Sequence, residues 1–266
     1  MSVGVVPANR LKRALRSGGT AVGTMLAEFR QASVMQLLAV AGFDFVIIDN
    51  EHGPFNVETI ADLSRAARAA GVTPIVRPPE LAYAHVTQAL DGGAQGIMLP
   101  RVTGAAEVHE CLAMMKYPPA GRRGSVMARG HTEFRSGPLL EAMQQANEET
   151  MLVVQVETAQ AVERLDEILS VPGVDVALVG PNDLSVALGV GGQMESPVLA
   201  GAIERTIAAC RRHDVVPSIH TGDARLSAMW AGKGMRMVSN GTETGYLVAA
   251  GRGAVEQVRA GWGPAR

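Results

Sequence analysis

Lysine is nearly missing from this 266-residue chain. Only Lys12, Lys116 and Lys233 occur, and arginine supplies the rest of the 24 cationic side chains. None of the three ends an apolar, strand-like run, so a catalytic amine that forms a Schiff base is disfavoured. Cysteine is scarce too. Cys111 and Cys210 stand alone in helical-looking segments, which excludes C-x-x-C redox pairs and zinc spacings and points to a reducing, cytoplasmic setting. No uninterrupted apolar run is long enough to span a bilayer. Residues 1–7 are too few and too weakly apolar for a signal peptide. Charge imbalance is small: 24 cationic against 26 anionic side chains gives a net charge of −2. Nucleic acid and membrane surfaces are therefore not expected partners. Glycine-rich phosphate loops are also absent, both G-x-G-x-x-G after the first strand and G-x-x-x-x-G-K-[ST].

What the chain does have is apolar residues, 47% of the total, arranged in a repeating order. Short β-branched runs alternate with segments of helical period. Eight runs read as strands: 20–26, 45–49, 73–77, 95–99, 152–157, 174–179, 215–219 and 236–239. Most are continuously apolar, as parallel strands buried on both faces are. Between them Val57, Ile60, Leu63, Ala67 and Ala70 step by three and four, as do Leu199, Ile203, Ile207 and Cys210. Ser196 before Pro197 reads as a helix start, and Gly42, Gly71 and Gly93 as helix ends. Eight strand–helix units in one chain match a (β/α)8 TIM barrel, with a doubly wound sheet as the weaker alternative. No Gly/Pro/Ser-rich linker divides the sequence, so residues 1–266 are expected to form one domain. A short helix (about 7–17) precedes it, and an insertion at 134–150 lies between the fourth and fifth strands.

In such a barrel the C-terminal strand ends converge on one rim. Four apolar runs end there in polar groups: Asp49-Asn50-Glu51-His52, Arg77, Gln155-Val156-Glu157, and Gly180-Pro181-Asn182-Asp183. Singly, each is explained by a helix cap, an ion pair or a loop hydrogen bond. Together they are hard to explain as independent structural accidents. Gln155 and Glu157 are two apart and share a strand face. Glu157 and Asp183, from neighbouring strand ends, would make a two-carboxylate site suited to Mg²⁺ or Mn²⁺, with Co²⁺ as an alternative. Zinc is less suited, since no His or Cys accompanies them. No organic cofactor is indicated.

These motifs, with Ala41-Gly42-Phe43-Asp44 and Tyr117-Pro118-Pro119-Ala120-Gly121-Arg122-Arg123-Gly124, resemble the HpcH/HpaI aldolase family of metal-dependent pyruvate aldolases over about residues 10–260. The resemblance implies reversible cleavage of a 4-hydroxy-2-oxo acid to pyruvate and an aldehyde through a metal-bound enolate. Decarboxylation of oxaloacetate-like acids by the same enolate is the alternative. It implies Glu157 and Asp183 as metal ligands, Arg77 on the enolate oxygen and Gln155 on the substrate. The backbone at Asn182 and Asp183 would hold the carboxylate, and His52 would be the acid/base group paired with Asp91. It also implies a homo-oligomer, a hexamer built from dimers that exchange the last helix (244–260). Imidazole suits proton transfer near neutral pH, and a fixed guanidinium suits a developing oxyanion. His220, Val190 and residues 239–243 depart from the usual family pattern on the aldehyde side. His131 lies in a loop that either is solvated or reaches the aldehyde.

Overall fold

The structure, a computed structural model, describes residues 4–262. Part of the 1–7 stretch weighed as a leader therefore lies outside the described residues. The chain begins with α1 (Arg10–Arg16), β1 (Ala21–Leu26), α2 (Val34–Val40), β2 (Phe45–Asp49), α3 (Val57–Ala70), β3 (Thr73–Arg77) and α4 (Tyr83–Gly92). Next come β4 (Gly96–Leu99), α5 (Ala105–Met115), α6 (Leu139–Glu149), β5 (Met151–Val156), α7 (Ala159–Glu163), α8 (Leu165–Leu169) and β6 (Val174–Val179). It ends with α9 (Pro181–Ala187), α10 (Pro197–Arg212), β7 (Val216–Thr221), α11 (Ala224–Gly232), β8 (Met237–Thr242) and α12 (Glu243–Ala260). The eight strands pair in chain order, all parallel, and β8 closes on β1. This is the TIM barrel anticipated above.

Local signals explain several boundaries. Asn56 caps α3 by accepting from the Thr59 N–H at 2.8 Å. Gly71 ends that helix at φ 84°, a left-handed turn that a side chain disfavours. Ser196 does sit at the N-cap of α10 with Pro197 first in the helix, but its side chain makes no capping bond. The insertion between the fourth and fifth strands contains α6, which buries Ala142, Met143 and Ala146.

Strand alternation sorts side chains into two cores. One lies between sheet and helices and includes Val46, Ile48, Val76, Val154, Ala177 and Ile219. The other fills the barrel: Met25, Phe45, Ile47, Ile75, Met98, Val153, Val176, Leu178, Val216 and Met237, closed from below by Leu11 and Leu15 of α1. A pleat repeats every two residues, so the inward positions one step further along are fixed. They are Asp49 after Ile47, Arg77 after Ile75, Gln155 after Val153, and Ser218 then His220 after Val216. The interior is thus apolar below and polar above.

The seam between β1 and β8 carries its own tie. Glu243, in the first turn of α12, is 5% exposed. Its carboxylate accepts from the backbone N–H groups of Ala27, Glu28 and Phe29 at 3.0, 2.6 and 3.0 Å. That fixes the loop after β1 against the start of the last helix.

Candidate active site

At the strands' C-terminal rim, β2 and β3 place Asp49 beside Arg77 in register. Arg77 Nε donates to Asp49 Oδ1 at 2.8 Å and Nη2 to Oδ2 at 2.6 Å. Nη1 lies 3.0 Å from Glu51 Oε2. Burial opposes the guanidinium charge, but Asp49 and then Glu51 hold its pKa above the ordinary value. Asp49 Oδ1 also accepts from the Glu51 and His52 N–H groups, so one carboxylate shapes the loop and orients the arginine. Sequence reasoning promoted His52 from this run and passed over Asp49 and Glu51. Their signal was the strand-end position of Asp49, directly opposite an arginine.

Across the barrel, Gln155 Nε2 donates to Glu157 Oε2, which bears out their shared face. Glu157 is 5% exposed, and its other oxygen accepts from the Arg101 N–H at 2.9 Å. Burial first, and then the nearby charges of Asp183 and Glu51, push its carboxyl up to about 7, against the pull of the Arg101 bond and of Arg77. Gly180 makes the space: a Cβ there would lie 2.9 Å from Glu157 Oε2 and 3.2 Å from Gln155 Nε2. Asp183 and Asn182 stand exposed in the first turn of α9. The first helical bond there runs from the Leu184 N–H to Gly180 O, which leaves the N–H groups of Asn182 and Asp183 ahead of it. Among the described residues no three His, Cys, Asp or Glu side chains gather closely enough to hold a metal ion by themselves.

The sequence expectation pairs His52 with Asp91. His52 is exposed on the rim, its Nε2 3.9 Å from Glu51 Oε2. Asp91 lies near the end of α4, which returns from the rim to the opposite end of the barrel, and there it binds Arg123. One protomer therefore does not bring them together. His131 does not reach the rim either. It is buried beside Tyr117, with Nε2 3.3 Å from the phenol oxygen, and burial and then Arg123 push its pKa down to about 4.

The lysines are also away from the rim. Lys12 and Lys116 both donate to Thr150 O, at 2.6 and 2.9 Å, below the barrel floor. Burial and then Lys12 lower the pKa of Lys116 to about 7, yet it faces none of the rim groups. Lys233 pairs with Glu204 at the surface.

A parallel barrel with carboxylates and a buried arginine gathered at the C-terminal rim has the layout of a barrel enzyme. The family profile described as HpcH/HpaI aldolase/citrate lyase matches residues 24–250. A 4-hydroxy-2-oxo-heptane-1,7-dioate aldolase of Escherichia coli is 35% identical over 91% of this chain and 92% of its own. An HpcH/HpaI aldolase from Desulfitobacterium hafniense superposes with a TM-score of 0.91 at 35% identity, over 95% of this chain and 97% of the other. The citrate synthase SbnG gives 0.85 at 28% identity over 96% and 99%. The chain belongs to the HpcH/HpaI aldolase/citrate lyase family.

Proposed function

We propose that this protein is a divalent-metal-dependent aldolase that cleaves a 4-hydroxy-2-oxo acid to pyruvate and an aldehyde, and reverses that reaction. The observation that carries this reading is a buried Glu157 beside Asp183, facing a buried Arg77 that two carboxylates hold in place. The donor set fits a hard cation. Glu157 is crowded by like charge, Gln155 Oε1 is buried without a partner, and Gly180 keeps the space in front of both open. Glu157 and Asp183 would hold Mg²⁺, Mn²⁺ or Co²⁺, with water and substrate oxygens completing the shell. A cation held there supplies Lewis-acid stabilisation of negative charge on the keto-acid oxygen.

The chain's own groups do the rest. Arg77 donates to the oxygen that becomes negative when the pyruvate methyl group loses its proton. Asp49 and Glu51 fix that donor before substrate arrives, so little reorganisation is needed. Gln155 contacts the substrate from the wall of the barrel. The N–H groups at Asn182 and Asp183 receive the carboxylate. His52, exposed on the rim, moves the proton of the 4-hydroxyl group during cleavage and addition.

The apolar side chains of Leu247, Val248, Val255 and Val258 stand exposed on α12. A homo-oligomer, expected to be hexameric, would cover them. Asp91 would meet a His52 only across such an assembly.

Deuterium exchange into the methyl group of pyruvate, followed by proton NMR, tests the reading without naming the aldehyde. Exchange should require Mn²⁺ or Mg²⁺, stop with chelator and vanish in Glu157→Ala. A wild-type protein that exchanges nothing with any of the three ions refutes it.

A further inference from the structure

The proposed half-reaction leaves one sector of the rim without a role. Glu157 and Asp183 belong to the β5 and β6 ends, and Arg77 to β3. The β7–β8 sector is polar as well, on the inward face of the same barrel. Pleat alternation turns Ser218 and His220 of β7 inward above Val216, and Ser239 of β8 inward above Met237. Register places His220 directly beside Ser239, and the imidazole Nδ1 lies 2.8 Å from Ser239 Oγ. Among the described residues that is the ring's hydrogen bond, and Nε2 is left for another partner. Ser218, fully buried one pleat below, has an Oγ with no hydrogen-bond partner among the described residues. The charges that His220 feels are Arg77 and then Asp49, both from the neighbouring β2–β3 part of the rim.

A wall like this is costly if nothing binds it, because a buried polar atom without a partner, here Ser218 Oγ, carries a desolvation penalty. Its chemistry also selects a ligand. Burial first, and then the charge of Arg77, lower the pKa of the imidazole to about 4, so it is uncharged at neutral pH. A neutral ring whose Nδ1 is engaged by a serine presents Nε2 as a single donor or acceptor. That matches a hydroxyl group, which can give or take one bond, better than a carboxylate, which calls for a cation. An acceptor aldehyde must stand beside the carbon that becomes nucleophilic, and β7–β8 is the adjoining free sector.

We propose that His220, held by Ser239, is a specificity-determining residue that binds a hydroxyl group of the aldehyde substrate, so that the preferred acceptor is a small hydroxyaldehyde. This inference rests on the pyruvate aldolase reading above.

The test is a discrimination ratio. Aldol addition of pyruvate to lactaldehyde and to propanal, which differ by one hydroxyl group, is measured with Mn²⁺ in the wild type, His220→Leu and His220→Asn. The ratio of kcat/KM values cancels the folded fraction and any shared loss in the pyruvate half-reaction. The wild type should favour lactaldehyde at least tenfold. His220→Leu should bring the ratio to about one, and His220→Asn, which keeps a hydrogen-bonding group, should restore part of it. A wild type without that preference, or a ratio that His220→Leu leaves unchanged, overturns the assignment. Pyruvate exchange in the wild type separates the two levels. Exchange with an unmoved ratio removes only the role of His220, and no exchange removes the aldolase reading and this inference together.

Discussion

Replacing Glu243 by alanine takes one acceptor away from three donors at once. The N–H groups of Ala27, Glu28 and Phe29 converge on its carboxylate at 2.6–3.0 Å. Hydrogen bonds to a charged group contribute about 1.5–3 kcal/mol each, so three would set a ceiling of about 5–9 kcal/mol. The donors' own residues are half-buried or exposed. Water can therefore enter the gap and take over much of the bonding. Loss of the favourable position of an acid in the first turn of α12 adds only a few tenths of a kcal/mol. The expected cost of Glu243→Ala is about 3 kcal/mol, and of Glu243→Gln about 1 kcal/mol, since the amide keeps a neutral acceptor. At roughly 2–4 °C per kcal/mol for a chain of this size, the alanine variant should melt roughly 6–12 °C lower. Urea unfolding at fixed protein concentration gives the energy, and native-state hydrogen exchange gives the place. The amides of residues 27–29 should exchange faster in the variant, by more than amides in β4 or β5. If Glu243→Ala lies within 0.5 kcal/mol of wild type, or exchange rises equally everywhere, the carboxylate is not the clasp described here.

Three further outcomes follow from the rim and the two rings. Arg77→Lys keeps a charge but loses the two-pronged grip on Asp49, so pyruvate exchange should slow about 100- to 1000-fold. Asp49→Ala should instead cost about 2–4 kcal/mol of stability, because Glu51 alone remains to balance a buried guanidinium. The imidazoles His131 and His220 are both pushed down to about 4, by burial first and then by Arg123 and Arg77 respectively. Between pH 6.5 and 4 the unfolded chain binds protons that the native rings refuse. Their stabilisation is complete above about pH 6.5 and is lost as the pH falls toward 4, by up to roughly 3 kcal/mol per ring. The double variant His131→Phe, His220→Leu should flatten the wild-type slope of urea stability over that window, and an unchanged slope would refute the assignment.

The barrel was legible because parallel strands covered on both faces read as unbroken apolar runs, and eight such runs were present. Strand ends were less legible, for a reason that belongs to the site. The runs at 215–219 and 236–239 stopped at Ile219 and Ser239, whereas β7 continues through His220 to Thr221 and β8 through Asn240 to Thr242. His220 turns into the barrel, whereas Thr221 and Asn240 hydrogen-bond to Ser227 of α11, so hydropathy ends before the strand does. Arg77, Gln155 and Glu157 were visible because a polar group that closes an apolar strand has one place to go in a barrel. The end of the barrel that Asp91 occupies was not legible, because spacing along a helix does not tell where the helix returns. Glu243 was hidden because an acid at a helix start looks like an ordinary cap. Its three donors come from the far end of the sequence.

The stacking of an oily floor beneath a hydrophilic ceiling inside one barrel separates two kinds of evolutionary freedom. Met25, Ile47, Ile75, Val153 and Val176 decide whether the staves close at all. The polar residues of the β7–β8 wall, a single pleat higher, decide what the closed vessel accepts. Random replacement of Ser218, His220 and Ser239 should therefore yield mostly soluble proteins with altered appetites. The same number of changes at Ile47, Val176 and Met237 should yield mostly precipitate.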